Sequence, residues 1–107
     1  MKYLTVNEQV LLIAILKLKD NAYPVTIRNE YIKITKKSIV YGALYNSLEY
    51  LRKKGLVNSI KGNPTPEKGG KRKVYFSLTE DGIRALQQTK EFHQSIWNSV
   101  EDVALGV

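Results

Sequence analysis

A segment rich in glycine and proline, 62–72, restricts the possible folds of this chain more than any other feature. Such a composition is typical of a loop. The runs on either side, 56–61 and 73–78, have the short length and the apolar and aromatic content of strands. Together the three segments predict a β-hairpin with a long tip. Because three segments with helical patterns precede the hairpin and one follows it, we expect a mainly α fold with one small β-hairpin.

Two helices are predicted ahead of residue 36. Thr5 and Glu8 have the spacing of a capping box, in which each side chain satisfies a free amide of the first helical turn. The helix that they begin extends to about Leu18 and is apolar on nearly every side, which is typical of a helix at the centre of a core. Pro24 suits the first position of a second helix, which extends to about Ile34, because the N–H that proline lacks has no helical partner there.

A third helix is predicted from Val40 to Lys53. Its leucines recur at helical spacing and form one apolar stripe that we expect to face the core: Leu44, Leu48 and Leu51. Gly55 suits the left-handed residue that ends many helices. The outer side of the first half of this helix carries aromatic and polar residues, namely Tyr41, Gly42, Tyr45 and Asn46.

A long amphipathic helix is predicted after the hairpin. Thr79 is its N-cap, and the helix continues towards Val103, which corresponds to about 24 residues and about 36 Å. A domain this small cannot cover so long an apolar stripe by itself, so we expect a second copy of the chain to cover it. The residues predicted to form the dimer interface or to bind an effector are Phe92, His93, Ile96, Trp97 and Val100. For Trp97, packing at the interface and stacking on an effector both remain open.

The charge of the chain is concentrated in its middle. The 107 residues carry a net charge of +7, and one compact domain is the default expectation for this length. Seven basic and two acidic residues occupy 21–54, and five basic residues and one acidic residue occupy 55–78. The remaining C-terminal segment, 79–107, is net acidic. A cationic module of this kind predicts a polyanionic partner, either nucleic acid or an anionic membrane surface.

The absence of certain residue types from the sequence disfavours several kinds of site. With no cysteine and a single histidine, His93, it has neither a thiolate nor a multi-histidine metal site, and we expect no metal and no cofactor. Ser47 and Ser77 have no base nearby in the sequence, so no catalytic residue is assigned. The longest apolar run, 10–16, is shorter than the roughly 20 residues of a membrane-spanning helix, and no signal peptide is recognised. We therefore expect a cytoplasmic protein without a membrane partner.

Three helices followed by a hairpin is the element order of a winged helix-turn-helix domain. In this fold the third helix lies in the major groove of DNA, and the hairpin, or wing, contacts the backbone. We expect 1–78 to be a winged helix-turn-helix DNA-binding domain and 79–107 to be a C-terminal dimerisation helix packed on the same domain. Asn46 is the best candidate for a base contact, because asparagine pairs with adenine through two hydrogen bonds. The other predicted DNA contacts are Lys37, Tyr41, Gly42, Tyr45, Lys61, Lys68, Lys71, Arg72 and Lys73.

The sequence resembles the PadR-like family of transcriptional regulators over about residues 8 to 98. The resemblance rests on three segments in order and spacing: AYPVTI (22–27), IVYGALYNSL (39–48) with Leu51 and KGLV (54–57), and GGKRKVYFSLTEDG (69–82). It implies a homodimer that binds double-stranded DNA at a pseudo-palindromic operator, usually as a repressor. In many relatives a small ligand, often aromatic, releases the DNA. The short segment after Trp97 looks like the family's short subgroup.

Two positions depart from the pattern of the family that the sequence resembles. Pro24 stands where relatives often have glycine, and Val40 stands where they often have a small hydroxyl residue. The second difference removes the expected N-cap of the third helix and leaves Ser38 as the alternative cap.

Functions other than DNA binding require other sequence features. A winged helix used only as a protein-interaction module would expose an apolar wing or recognition face, and this sequence has neither. A small enzyme would need a nucleophile with a neighbouring base. Tyr45 could be a half-buried core residue instead of a DNA contact, and the basic wing could be a solvated loop. The sequence favours a DNA-binding transcriptional regulator that is not an enzyme, with the interaction module as the alternative.

Overall fold

The computed structural model describes residues 3–62 and 73–100, and its elements follow the predicted order. Three helices come first: α1 (Val6–Leu18), α2 (Pro24–Thr35) and α3 (Tyr41–Lys53), with a short 3-10 turn, Lys19–Asn21, between the first two. A hairpin of β1 (Val57–Lys61) and β2 (Val74–Leu78) follows, and then α4 (Glu80–Asn98). The mainly α fold with one small hairpin and the winged helix-turn-helix order of elements are thereby confirmed.

One hydrophobic core joins the helices to the hairpin. α1 supplies its centre, since Leu11, Leu12 and Ile15 are at most 1% exposed. The predicted leucine stripe of α3 faces this core, and each of its three leucines is also at most 1% exposed. Full burial of one leucine side chain contributes about 1.5–3 kcal/mol relative to exposure. These two helices therefore account for much of the favourable free energy of folding.

The start of α1 has the predicted capping box. The Thr5 hydroxyl accepts a hydrogen bond from the Glu8 amide at 3.1 Å, and the Glu8 carboxylate accepts one from the Thr5 amide at 2.9 Å. The other carboxylate oxygen of Glu8 lies 2.8 Å from the ammonium of Lys54, at the end of α3. Burial by itself raises the pKa of Glu8, but the hydrogen bonds from Lys54 and Thr5 and the charge of Lys54 outweigh it and hold that pKa below its usual value. The ionised pair ties the start of α1 to the end of α3.

The hairpin is antiparallel and is anchored to the helices at its base. Val57 pairs with Leu78, and Lys61 pairs with Val74. The amide of Phe76 donates to the carbonyl of Ala22 at 2.8 Å, so the segment before α2 pairs with β2. An isolated two-stranded hairpin is only marginally stable in water, and this additional contact fixes its position on the core.

The hairpin passes into α4 through a close backbone contact. The Thr79 hydroxyl caps α4 by accepting from the Gly82 amide at 3.0 Å, and the Thr79 amide donates to the Leu56 carbonyl at 3.1 Å. Gly82 packs against the same carbonyl, because a Cβ atom at this position would lie 2.1 Å from the Leu56 oxygen. Glycine at position 82 is therefore required for α4 to approach the hairpin base this closely.

The N-terminal segment 3–5 fixes the middle of α4 to the domain. The ring of Tyr3 stacks on Phe92, with centroids 4.2 Å apart and 6° between the planes. The amide of Leu4 donates to the buried hydroxyl of Thr89 at 3.1 Å. The first half of α4 thus belongs to the same packed unit as α1.

The C-terminal helix is shorter than predicted. It ends at Asn98 after 19 residues, whereas the sequence pattern predicted about 24 residues to near Val103, a position outside the described residues. The Ser99 hydroxyl donates to the Ile96 carbonyl at 2.6 Å, and the Val100 amide donates to the Trp97 carbonyl at 3.1 Å. Serine side chains that bond to nearby backbone groups compete with the helix, and apolar spacing does not register this effect. Val100 consequently lies in a turn beyond α4.

One further expectation is corrected. The N-cap of α3 is Val40, which makes no side-chain cap bond, so Ser38 does not cap this helix. The predicted central position of α1 in the core is confirmed, and one side of this helix remains uncovered, with Ile13 and Leu16 38% and 52% exposed. Within 3–62 and 73–100, none of the helices combines the length and apolarity needed to cross a membrane.

Candidate nucleic-acid interface

The outer face of α3 carries the side chains that the sequence analysis selected. Tyr41 is 40% exposed and Tyr45 is 53% exposed, and Gly42 and Asn46 are also exposed. The leucines of α3 occupy the opposite side, so its aromatic and polar face meets solvent. The two tyrosine rings are neighbours, with centroids 6.1 Å apart. Tyr45 is therefore an exposed residue and not a half-buried part of the core.

A cleft of about 580 Å³ lies between this face of α3, the start of α2 and the strands of the hairpin. Tyr45 and Asn46 line it from α3, while Ser59 and Lys73 line it from the hairpin. Three residues that the sequence predicted as DNA contacts, Tyr45, Asn46 and Lys73, are thus brought to one concave surface. We call it the α3–hairpin cleft.

Lys73 is held at this cleft by an aromatic ring. Its ammonium nitrogen lies 4.4 Å from the centroid of Tyr23, and Tyr23 in turn meets Tyr75 edge to face, with centroids 5.6 Å apart. A cation over the face of an aromatic ring is attracted by the negative charge density of that face. Lys73 remains exposed, so its charge is available to an anion in the cleft.

One acidic residue, Glu49, also lines the α3–hairpin cleft. The Nε atom of Arg52, three residues further along α3, lies 3.1 Å from each carboxylate oxygen of Glu49. The hydrogen bonds from Arg52, together with its charge, lower the pKa of Glu49. Glu49 therefore stays ionised, and the charge of Arg52 offsets it, so the acidic side chain does not make the cleft anionic.

Arg28 of α2 lies beside the start of α3, and the sequence analysis did not select it. Its Nε donates to the carbonyl of Ile39 at 2.6 Å, and its guanidinium carbon lies 5.0 Å from the centroid of the Tyr41 ring. No motif or helical spacing connects residue 28 with residues 39 and 41. Only the packing of α2 against α3 brings them together, so no signal in the sequence could have identified this contact.

The other predicted DNA contacts are not all described. Lys37, in the turn between α2 and α3, and Lys61, at the end of β1, are exposed. Lys68, Lys71 and Arg72 lie outside the residues that the structure describes. Two predicted phosphate contacts thus lie close together in the described part of the hairpin, Lys61 at the end of β1 and Lys73 just before β2.

A second surface is a largely apolar groove of about 540 Å³ between α1 and α4. It includes Ile13 and Leu16 of α1 and Ile83 of α4, of which the last is 44% exposed. These residues could not be identified from the sequence. The uncovered side of a helix is normally recognised by its polar residues, and α1 is apolar on nearly every side. His93 also borders the groove, with its Nε2 atom 3.4 Å from the side-chain nitrogen of Gln9. We call this surface the α1–α4 groove.

The second half of α4 carries the remaining predicted interface residues. Ile96 is 45% exposed and Trp97 is 63% exposed. Phe92 is partly covered by Tyr3, and Val100 is half-buried in the turn after the helix. At 3.6 residues per turn, Trp97 lies on the same side of α4 as His93, so the exposed apolar surface continues from the α1–α4 groove towards the end of the helix. No three potential metal ligands cluster in the part of the chain that the structure describes.

Comparison with known proteins gives one family. The model of the transcriptional regulator PadR-like family matches residues 12–88. No curated protein sequence matches this chain significantly.

Solved structures with this fold come from several bacteria. A PadR family transcription regulator from Clostridium difficile R20291 is 24% identical, with a TM-score of 0.68 over 89% of this chain and 95% of its own. A PadR-like transcriptional regulator from Bacillus cereus is 19% identical, with a TM-score of 0.73 over 95% of this chain and 94% of its own. A PadR-like transcription factor from Bacteroides fragilis is 22% identical, with a TM-score of 0.71 over 92% of this chain and 89% of its own. At these identities the likeness shows the fold.

Proposed function

Because this chain belongs to the PadR-like family of DNA-binding transcriptional regulators, we propose that it is a repressor that binds a pseudo-palindromic operator as a homodimer. The observation that carries the proposal is the α3–hairpin cleft, where Tyr45, Asn46 and Lys73 meet. This cleft joins the exposed face of the third helix to the strands of the wing, the two elements that a winged helix applies to DNA. The cytoplasmic location and the division into a DNA-binding domain, 1–78, and a dimerisation segment, 79–107, are parts of the same proposal.

The proposed contacts divide into two kinds. Lys61 and Lys73 are exposed cations on the hairpin and suit phosphate groups, which fix the position of a protein on DNA without reading its sequence. Asn46 and Tyr45 project from α3 and suit the edges of bases in the major groove. Gly42 leaves open space on the same face, because no atom lies within 4 Å of the position that a Cβ atom would occupy. A groove edge can therefore approach the backbone of α3 there.

The alternative of a protein-interaction module is less well supported. Such a module needs an apolar patch on its recognition surface. The exposed face of α3 instead combines tyrosine rings with Asn46, and the hairpin adds exposed lysines. The exposed apolar surface formed by the α1–α4 groove and its continuation to Trp97 lies on other elements.

We expect the hairpin lysines and Asn46 to affect DNA binding differently. Each phosphate contact releases counterions, so losing one flattens the slope of log affinity against log salt by about 0.9. Lys61→Ala combined with Lys73→Ala should reduce this slope by roughly 2 per subunit and weaken all duplexes alike. Asn46→Ala should instead reduce the free energy of binding by about 1–3 kcal/mol on a selected duplex, meaning the duplex that the wild-type protein enriches most from a randomised pool. Its binding to random DNA should change little. Salt titrations with both duplexes measure the difference.

Arg84→Ala is the matched control for the loss of charge. Arg84 is an exposed cation of α4 that pairs with Asp81 and does not line the α3–hairpin cleft, so the slope should stay unchanged. If the lysine variant kept its slope and lost only binding to the selected duplex, the roles given to hairpin and helix would be reversed.

The homodimer of the proposal would form through α4 and the α1–α4 groove. A chain of this size buries a modest fraction of its surface, and contiguous exposed apolar surfaces usually mark an interface. The interface would use the same surface on both copies, as the two-fold symmetry of most homodimers requires. This surface comprises Ile13, Leu16 and Ile83 of the groove and Ile96 and Trp97 beyond it.

A small planar aromatic ligand is proposed to release the DNA by binding between the Trp97 side chains of the two subunits. The support is the 63% exposure of this ring beside an apolar groove that a single chain leaves open. Trp97 is the single tryptophan of the chain, so its fluorescence reports binding directly. We expect one or more members of a panel of planar aromatic compounds to quench this fluorescence and to lower operator affinity.

Trp97→Leu is the control for the ligand prediction, because leucine keeps an apolar side chain but provides no ring for stacking. In this variant the same compounds should no longer displace DNA, while DNA binding without ligand should persist. Absence of quenching across the whole panel would assign Trp97 to packing alone.

A further inference from the structure

We propose that Arg28 is a positioning residue for sequence-specific binding: it fixes the start of α3 and the ring of Tyr41, so that the exposed face of α3 meets the bases in one orientation. This inference rests on the proposed function and adds a residue of α2 to it. Arg28 acts through Ile39 and Tyr41 and is not itself assigned a contact with DNA.

The start of α3 needs an external support because it lacks the usual one. Val40 occupies the N-cap position and makes no side-chain cap bond. The residue that ends α2, Lys36, has φ of +60°, a left-handed conformation that is unfavourable for residues other than glycine. At the α2 end of the connection, the Lys36 amide donates to the Ile32 carbonyl at 2.8 Å, and the Thr35 hydroxyl accepts from the Lys37 amide at 3.1 Å. At the α3 end no side-chain cap is present, so the position of Val40 depends on contacts with neighbouring elements.

Arg28 provides the contact that fixes this connection. Its Nε donates at 2.6 Å to the carbonyl of Ile39, the residue immediately before the N-cap. Ile39 also packs against the hydrophobic core, so its backbone is held from both sides. A hydrogen bond from a charged donor is stronger than one between neutral groups. The α2 helix thus anchors the residue before the N-cap of α3 through one charge-assisted bond.

The same guanidinium also fixes the first aromatic side chain of the recognition face. It lies 5.0 Å from the centroid of Tyr41, and Tyr41 lies 6.1 Å from the ring of Tyr45. Arginine can do both because its planar group stacks on a ring while its Nε donates in the plane. Lysine has the same charge but no planar group and no donor at the position of Nε. It therefore cannot make the hydrogen bond to Ile39 and the contact with Tyr41 at the same time.

Arg28 takes part in none of the salt bridges between the described residues. Among residues 3–62 and 73–100, the carboxylates that form salt bridges pair with Lys17, Arg52, Lys54 and Arg84. The contacts that Arg28 makes are the carbonyl and the ring, both at the start of α3. Both contacts of Arg28 therefore hold the start of α3, the helix that is proposed to read bases, in position.

The test replaces Arg28 by lysine and keeps the net charge. The probes are a random duplex and the duplex that the wild-type protein enriches most from a randomised pool. We expect Arg28→Lys to bind the selected duplex about tenfold more weakly, because only a fraction of molecules then hold α3 in the binding orientation. Affinity for the random duplex and the salt slopes should not change, since the cation remains. Arg84→Lys makes the same chemical change on α4 and should leave both affinities unchanged.

A measurement without DNA tests the same role. The Leu44 amide donates to the Val40 carbonyl at 3.0 Å in the first turn of α3, and the Ile27 amide makes the equivalent bond at the start of α2. Hydrogen exchange at Leu44 should be about tenfold faster in Arg28→Lys, while exchange at Ile27 stays as in the wild type. A general loss of stability would accelerate both amides.

The outcomes separate this inference from the proposed function. The inference would be overturned if Arg28 proved to be a phosphate contact. In that case the substitutions would weaken binding to both duplexes equally, and the slope of log affinity against log salt would fall by about 0.9 in Arg28→Ala but not in Arg28→Lys. Unchanged exchange at Leu44 would also overturn it. If the wild-type protein enriched no duplex and bound none, the proposed function would fail, and the role of Arg28 in base reading would fail with it.

Discussion

Ile96→Asp combined with Trp97→Ala should convert the proposed dimer to a monomer and weaken its binding to a palindromic duplex by about 100-fold or more. Ile96 and Trp97 are 45% and 63% exposed on the second half of α4, where a second copy is proposed to cover them. Large central side chains carry most of the binding energy of an interface, and a buried unpaired carboxylate opposes association further. Two linked half-sites bind more tightly than one because the second contact is intramolecular, and a monomer loses this gain.

Sedimentation measures the assembly, and titrations of a palindromic and a single half-site duplex measure the consequence for DNA. The double variant should bind the palindromic duplex more weakly than the wild type does. Its affinity for the half-site duplex should equal that of the wild type. Asn98→Asp is the matched control, because it adds the same charge within one turn of Ile96 but on the opposite side of the helix. A double variant that sediments as a dimer would show that another surface forms the interface.

Gly82→Ala is expected to lower the free energy of unfolding by about 2–4 kcal/mol. The added Cβ atom would lie 2.1 Å from the carbonyl oxygen of Leu56, far inside contact distance. α4 cannot move away without weakening the bond from the Thr79 amide to that carbonyl, because Thr79 also caps the helix. Urea unfolding of both proteins at one fixed concentration measures the change, since the stability of a dimer depends on concentration.

Gly42→Ala is the control for the glycine substitution, because it makes the same change where the structure leaves open space. Gly42 lies within α3, where alanine is favoured over glycine by up to about 1 kcal/mol, so this variant should be as stable as the wild type or more stable. Equal destabilisation by both substitutions would contradict the contact described between Gly82 and Leu56.

The sequence predicted those parts of the fold whose causes are local. The hydroxyl and carboxylate of the Thr5 capping box, the fixed φ of Pro24 and the left-handed conformation of Gly55, with φ of +79°, each act within a few residues. The leucine stripe of α3 could also be predicted, since periodicity alone decides which side of a helix is buried. These signals give the order of the elements and, with it, the exposed face that carries Tyr45 and Asn46.

Features that depend on contacts between distant residues could not be predicted. The bond from Arg28 to Ile39 exists because α2 packs on α3, and the requirement for glycine at position 82 exists because Leu56 lies against it. The uncovered side of α1 is also a tertiary property, as the whole helix is apolar. The early end of α4 is different: hydroxyls such as that of Ser99 bond to the backbone locally, and a reading based only on apolar spacing overlooks them.

The anchoring of the hairpin at its base has a consequence for how such regulators diverge. The bond between Phe76 and Ala22 and the bond between Thr79 and Leu56 fix both strands where they meet the helices, at the end of the hairpin opposite to the connection between the strands. Doubling the length of such a connection costs only about 0.6 kcal/mol of closure entropy. Insertions, deletions and charge changes between the strands can therefore accumulate over generations while α3 keeps its sequence. With the proposed division of contacts, phosphates to the hairpin and bases to α3, the strength of attachment to the chromosome and the choice of target gene can evolve separately in a lineage of these proteins.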